Sequence, residues 1–458
     1  MFTVLEKLIA AIWNRLSRRQ RGARSEGGGV RLGFRVVDGQ VTGRQATVAN
    51  RERMRHVVIV GKTGTGKSYL LRYLSEQDIQ ANRGFAFFDL HGDATPHLLR
   101  VINARERQEH RHLSNRLIVI DPSDPIMSIG INPLEGKPDF ARIEQVTEIL
   151  RRHWGQELFG ARTHELMRNA LFVLASNGLT LVELTPLLAD KAFRAACLKQ
   201  VDNAQVHEYF EFRYDQASEA MQATMREPIL SRASSFIADP KFRAIVGQQH
   251  SSFSFREAMD AGWWIIVRLS KGQLGNQAVT LGSLIFTMMK DAIFARREDS
   301  LFTIYCDEIQ NFIAQASEIE TLLAEARKTS TSFVAAHQFL DQMPTEMRAA
   351  LLSAGSHVFF QLSSADATHV SQALDGGRPL AERLKNLRQR HFVVKTGSER
   401  PTEVRVPTLD EPKVDYTNLW TRVRYTHGRV RAHIERDIAE RRKKLLSTGH
   451  DDGLRDYE

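Results

Sequence analysis

Short apolar runs recur along this chain, and most are apolar at every position rather than at alternate ones. Val57–Val60, Phe85–Phe88, Leu117–Ile120, Trp263–Val267, Phe302–Tyr305, Phe333–Ala336, Val358–Gln361 and Phe392–Val394 all have this character. A strand that is apolar on both faces must be covered on both faces, as in parallel sheets flanked by helices. Helical patterns fall between the runs, so the expected fold class is α/β with a mainly parallel sheet. Between Asp139 and His250 the rhythm stops. There the spacing predicts helices, among them Ile143–Trp154 and Thr163–Ala175, and so an all-α insertion.

The organisation that follows has five parts. Residues 31–138 and 251–408 form the two parts of an α/β core, and residues 139–250 form the inserted helical domain. Residues 1–30 hold an amphipathic helix and a Gly-rich linker, Glu26 to Gly29. In that helix Phe2, Leu5, Leu8, Ile9, Ile12, Trp13 and Leu16 share one face, and a basic run from Arg15 to Arg24 follows it. Such a face either docks on protein or lies on an anionic membrane with its arginines at the headgroups. Residues 409–458 are a basic C-terminal tail, whose charge-dense stretch from about Arg429 to Leu446 is an exposed helix or a disordered end.

Composition narrows the setting. The chain has 458 residues, 42% of them apolar, and a net charge of +9. That charge sits at the ends. Eight basic residues between 1 and 35 face only Glu6 and Glu26, and nine between 421 and 446 face Glu435, Asp437 and Glu440. Such ends suit contact with nucleic acid or anionic lipid. No run reaches the roughly 18–20 apolar residues that a membrane span needs, and no signal-peptide cleavage pattern follows the N-terminal helix. The two cysteines, Cys197 and Cys306, read as reduced thiols. The expected location is therefore the cytoplasm, and contact of residues 1–24 with the inner face of a bacterial membrane is one of the two alternatives that the N-terminal helix leaves open.

The strongest chemical signal is Gly61-Lys-Thr63-Gly64-Thr65-Gly66-Lys67-Ser68, which follows an apolar strand and opens a helix. Its glycines let backbone amides wrap a phosphate chain. Lys67 would reach the β- and γ-phosphates, and Ser68 would hold Mg²⁺. The second signal is Leu301–Glu308, an apolar strand ending in two acids. Asp307 suits Mg²⁺, and Glu308 suits polarisation of an attacking water. No guanine-reading Asn-Lys-x-Asp element occurs, so the expected nucleotide is ATP. The third signal comprises Arg327 and Lys328, followed by Gln338 at the end of the next strand. Gln338 is either a phosphate sensor or a strand cap. Arg327 is either a finger into a neighbouring subunit or one half of a surface ion pair. In Asp89-Leu-His91-Gly-Asp93 the spacing favours a turn over a metal site, with Asp89 beside the phosphate loop.

Taken together these segments resemble the HerA/FtsK superfamily, and within it the TraG/TraD-like coupling proteins of type IV secretion. The resemblance runs from about Arg55 to Pro407. It is carried by Arg55-His56, Gly61–Ser68, Phe88–Asp93, Ile120–Pro122, Ile131–Leu134, Leu269–Gly275, Asp307–Phe312 and Ala324–Gln338, in that order. It implies a RecA-like core, a homo-oligomer in the form of a hexameric ring, and an all-α domain at the mouth of the ring. It also implies DNA as cargo, secretion-channel or relaxosome proteins as partners, Arg327 as a trans-acting finger and Gln338 as a sensor. Membrane-bound members usually begin with transmembrane helices, where this chain has Phe2–Leu16. The superfamily also contains motors that power secretion rather than DNA movement.

Overall fold

The computed structural model describes residues 28–154, 160–312, 316–340, 343 and 345–451. The N-terminal amphipathic segment and its run of arginines lie outside the described residues. Among the described residues, no helix is long and apolar enough to cross a membrane.

The strands are β1 (Gly29–Val37), β2 (Gln40–Ala49), β3 (Val57–Val60), β4 (Gly84–Asp89), β5 (Leu117–Ile120), β6 (Met127–Ser128) and β7 (Trp264–Arg268). They continue with β8 (Phe302–Cys306), β9 (Thr331–His337), β10 (Ser356–Phe359), β11 (His391–Thr396), β12 (Thr402–Arg405) and β13 (Arg429–Val430). One sheet takes eleven of them in the order β2-β1-β12-β11-β10-β3-β9-β8-β4-β7-β5. From β10 to β5 all neighbours are parallel. From β10 to β2 all are antiparallel. The mainly parallel α/β sheet expected from the doubly apolar strands is therefore present, with an antiparallel extension on one side.

Alternate residues of the central strands feed two cores. Val58, Val60, Ala86, Phe88, Ile118 and Ile120 face one, and Val57, Ile59, Phe85, Phe87, Leu117 and Val119 face the other. This period of two is the ordinary consequence of a pleated strand. The helices between Phe140 and Val246, including Phe140–Trp154 and Ala161–Ser176, contribute Ile143, Leu150, Leu166 and Phe236 to the first of these cores. The helical insertion is thus continuous with one face of the sheet rather than separately packed.

At the N-terminal side the linker reading changes, and at the C-terminal side the exposed-helix alternative is the one found. Gly29 is the first residue of β1, paired with Ala49, and the Gly28 carbonyl accepts a hydrogen bond from the Asn50 amide. Backbone pairing at the sheet edge holds the end of the expected linker in place. The C-terminal stretch forms the helices Thr417–His427 and Arg431–Asp451. The second is seated by Ile434 and Ile438 against Ala244. Across the whole C-terminal stretch several arginines are committed to partners: Arg422 to Glu106, Arg424 to Asp124, Arg429 to Asp437 and Arg441 to the buried Glu183. Arg431 donates to the Pro122 carbonyl. These contacts tie the basic segment to the body of the protein.

His56 joins the start of β3 to its neighbours. Its Nε2 lies 2.7 Å from the Leu323 carbonyl, and its Nδ1 accepts from the Phe333 amide at 3.1 Å. Only the neutral ring can donate through one nitrogen and accept through the other. Burial pushes its pKa down to about 4, and Arg327 adds to the effect against the Leu323 bond. The unfolded histidine takes up its proton near 6.5. Stability from this group should therefore be intact above pH 6.5 and fall as pH drops from 6.5 to 4, by on the order of 3 kcal/mol. Urea unfolding of the wild type and His56→Gln at pH 7 and pH 4 checks this: the gap between them should narrow at pH 4.

Candidate functional site

The phosphate loop leaves β3 at Val60 and enters the helix Lys67–Gln80 through Gly66, whose φ of 119° lies in the left-handed region. A side chain there would strain the backbone. At Gly61 an added Cβ would sit 2.5 Å from Phe360 Cβ, so the loop can pass β10 this closely only without a side chain. The loop is held by its surroundings. The Gly61 amide donates to the His337 carbonyl, the Lys62 amide to the Gln361 carbonyl, and the Arg390 amide to the Thr65 carbonyl. The Thr65 hydroxyl donates back to the Lys62 carbonyl at 2.7 Å, and Gln389 donates to the Gly64 carbonyl at 3.1 Å.

Lys67 is buried and folds over the loop, with its Nζ donating to the carbonyls of Gly61 at 2.6 Å and Lys62 at 3.1 Å. Burial lowers its pKa, and the charges of Asp307 and Glu308 oppose that shift. The Ser68 hydroxyl donates to Asp307 Oδ2 at 2.6 Å. The end of β8 and the start of the loop helix therefore meet in this one contact. Asp307 Oδ1 is buried without a hydrogen-bond partner. A hydroxyl beside a carboxylate with a free buried oxygen is a hard, all-oxygen donor set, and it fits Mg²⁺. Burial raises the Asp307 pKa; the Ser68 bond lowers it and the Glu308 charge raises it further.

Glu308 follows with φ of 54°, a left-handed conformation for a residue with a side chain. Such geometry costs on the order of 1–3 kcal/mol and persists where its surroundings enforce it. Both carboxylate oxygens are engaged at 2.6 Å, Oε1 by the Gln338 amide and Oε2 by the Gln310 amide. The Gln338 oxygen in turn accepts from the Thr63 hydroxyl at 2.9 Å, and the Gln310 oxygen lies 2.6 Å from His337 Nδ1. Burial lowers the His337 pKa despite the nearby Glu308 charge, so the ring is neutral.

Lys67, Ser68, Asp307, Glu308, Gln338 and Thr63 are thus brought together. Arg327 is not. It is exposed at the end of the helix Ala316–Lys328, just before β9 begins at Thr331, whereas the loop lies beyond the far ends of β3 and β9. At ~3.3 Å per residue, the length of β9 separates it from its own loop by roughly 20 Å. Asp89 also departs from expectation. Its carboxylate accepts from the amides of Gly92 and Thr95 and from the Thr95 hydroxyl, so it closes its own turn. Among the described residues, no cluster of three or more His, Cys, Asp or Glu could hold a metal ion. Both cysteines are buried and unbridged. Gln310 and His337 stand inside the motifs read from the sequence, but their partnership depends on β8 lying beside β9.

The central-domain model of the helicase HerA matches residues 42–238. The fold is shared with the conjugative coupling protein TrwB. In the TrwB complex with a non-hydrolysable GTP analogue, identity is 17%, coverage is 85% of this chain and 99% of that one, and the TM-score is 0.58. The complex with an ATP analogue gives 17%, 85%, 98% and 0.57. VirB4 of Thermoanaerobacter pseudethanolicus is similar at 13% identity, over 84% of this chain and 97% of that chain, with a TM-score of 0.53. Comparison with curated protein sequences gives no match.

A carboxylate held by two amides beside the Ser68–Asp307 pair has the geometry that water activation requires, which sets up a test. Glu308→Gln should keep equilibrium binding of a fluorescent ATP analogue within about two-fold while phosphate release falls by about 10²-fold or more.

Proposed function

We propose that this chain, a P-loop protein of the HerA/FtsK type in fold and central-domain match, is an ATP-hydrolysing ring motor that translocates DNA. The observation that supports hydrolysis is Glu308, clamped beside the Ser68–Asp307 pair with its carboxylate aimed by two amides. A site built only to store nucleotide has no use for that arrangement.

In this reading the triphosphate lies along the loop amides, and Lys67 turns from the Gly61 and Lys62 carbonyls to the β- and γ-phosphates. Mg²⁺ held through Ser68 and Asp307 would offset charge on the β- and γ-oxygens. Gln338 bridges Thr63 and Glu308, so an arriving γ-phosphate competes for a group that otherwise caps the base. Once Oε1 is free, Glu308 takes a proton from water as the water oxygen bonds to the γ-phosphorus and the bond to the bridging oxygen breaks. ADP and phosphate leave. Because Arg327 sits at the opposite end of the sheet from its own loop, its use as a finger requires a neighbouring subunit, and a ring supplies one.

DNA as cargo is inferred from TrwB, which is described as a conjugative coupling protein. TrwB has been captured with both ATP and GTP analogues, and ATP is assigned here because the chain has no guanine-reading element. The likeness to VirB4 favours a second reading, a secretion-system motor that moves protein.

ATP hydrolysis with and without single- and double-stranded DNA separates the two. DNA should raise turnover several-fold, and Lys67→Ala and Arg327→Ala should each lower it by at least about 10²-fold. Mixing the two variants should restore part of the activity, since each supplies what the other lacks. Turnover indifferent to DNA makes the cargo protein. Full turnover in Arg327→Ala removes it from the site.

A further inference from the structure

We propose that Gln310 is a positioning residue for Glu308, oriented by His337, and that it anchors one carboxylate oxygen while the other exchanges partners. This role rests on the hydrolytic reading above.

The orientation of the Gln310 amide is over-determined. Its oxygen lies 2.6 Å from His337 Nδ1 and its nitrogen 2.6 Å from Glu308 Oε2. An amide oxygen only accepts, so Nδ1 must carry the proton; the reversed amide would point an oxygen at a carboxylate. His337 is itself fixed as the last residue of β9, buried, with its carbonyl accepting from the Gly61 amide. The backbone of the Ile309–Asn311 turn is also tied down. Arg152 donates to the Gln310 carbonyl at 3.2 Å, and Ser283 donates to the Asn311 carbonyl at 3.3 Å.

The Gln338 arm is built differently. Its outer partner is the hydroxyl of Thr63, an exposed loop residue where the phosphates would lie. Nucleotide can take that arm away without disturbing β9 or the turn. The two glutamines therefore divide the work. Gln338 releases Oε1 when the site fills, and Gln310 keeps Oε2 in place so that the freed oxygen stays aimed at the water. A carboxylate on a long, flexible side chain loses catalytic power steeply when it drifts by an ångström.

The test is steady-state ATP hydrolysis by the full chain, together with equilibrium binding of a fluorescent ATP analogue. Gln310→Met keeps the volume and removes the donor. It should lower kcat about 10- to 100-fold with KM and analogue affinity within about two-fold. His337→Ala should act in the same direction. His337→Asn, whose amide nitrogen can replace Nδ1, should recover most of the loss. The double variant Gln310→Met/His337→Ala should be no worse than Gln310→Met alone, since both remove one unit. If Glu308→Gln abolishes hydrolysis while Gln310→Met turns over at the wild-type rate, the positioning role is overturned and the hydrolytic reading stands. Equal losses in His337→Ala and His337→Asn also overturn it, because packing alone would explain them. Wild-type turnover in Glu308→Gln removes the hydrolytic reading itself.

Discussion

A buried ion pair beneath the sheet holds the two halves of the nucleotide site in one frame. Arg53, from the short helix before β3, donates to both oxygens of Asp78 at 2.9 and 2.6 Å, and both side chains are fully buried. Asp78 belongs to the helix that follows the phosphate loop. Tyr305 and Thr303, from β8, complete the cluster: the tyrosine hydroxyl donates to Asp78 at 2.6 Å, and Arg53 reaches the Thr303 oxygen at 2.8 Å. Against the effect of burial, Arg53 and Arg83 hold the Asp78 carboxyl below its usual range. Buried charges cost several kcal/mol unless paired, and loss of one partner typically costs about 3–5 kcal/mol. The loop helix and β8 are therefore not free to slide. Their other ends carry Ser68 and Asp307, which meet at 2.6 Å.

How much of this was legible depends on the range of the interaction. Strands buried on both faces announce themselves locally, so the parallel half of the sheet could be read directly. The edge strands could not, because β1 mixes buried and exposed residues and begins at a glycine that suits a linker equally well, and β2 is mostly exposed. The helices of the insertion were visible in their spacing, but their continuity with the sheet core was not, since that depends on which faces meet. The residues of Gly61–Ser68 and the acids Asp307 and Glu308 were legible because phosphate and Mg²⁺ chemistry demands fixed types at fixed spacings. Gln310 and His337 demand neither. Their roles come from the register of β8 against β9, where Cys306 lies opposite Ala335. At the C-terminal end, likewise, charge counts cannot show that Arg441 pairs with Glu183 or Arg422 with Glu106.

The helical layer touches the Ile309–Asn311 turn directly. Arg152 and His153 lie in the last turn of the helix Phe140–Trp154. One holds the Gln310 carbonyl and the other meets Ser283, which holds the Asn311 carbonyl. The helical layer therefore bears on the backbone that presents Glu308.

The most direct test of the central claim is displacement of a triplex-forming strand from duplex DNA. The account predicts displacement by the wild-type chain with ATP, and none with a non-hydrolysable analogue or with Glu308→Gln. Brisk ATP hydrolysis with no displacement from any duplex, or displacement by Glu308→Gln, would contradict it.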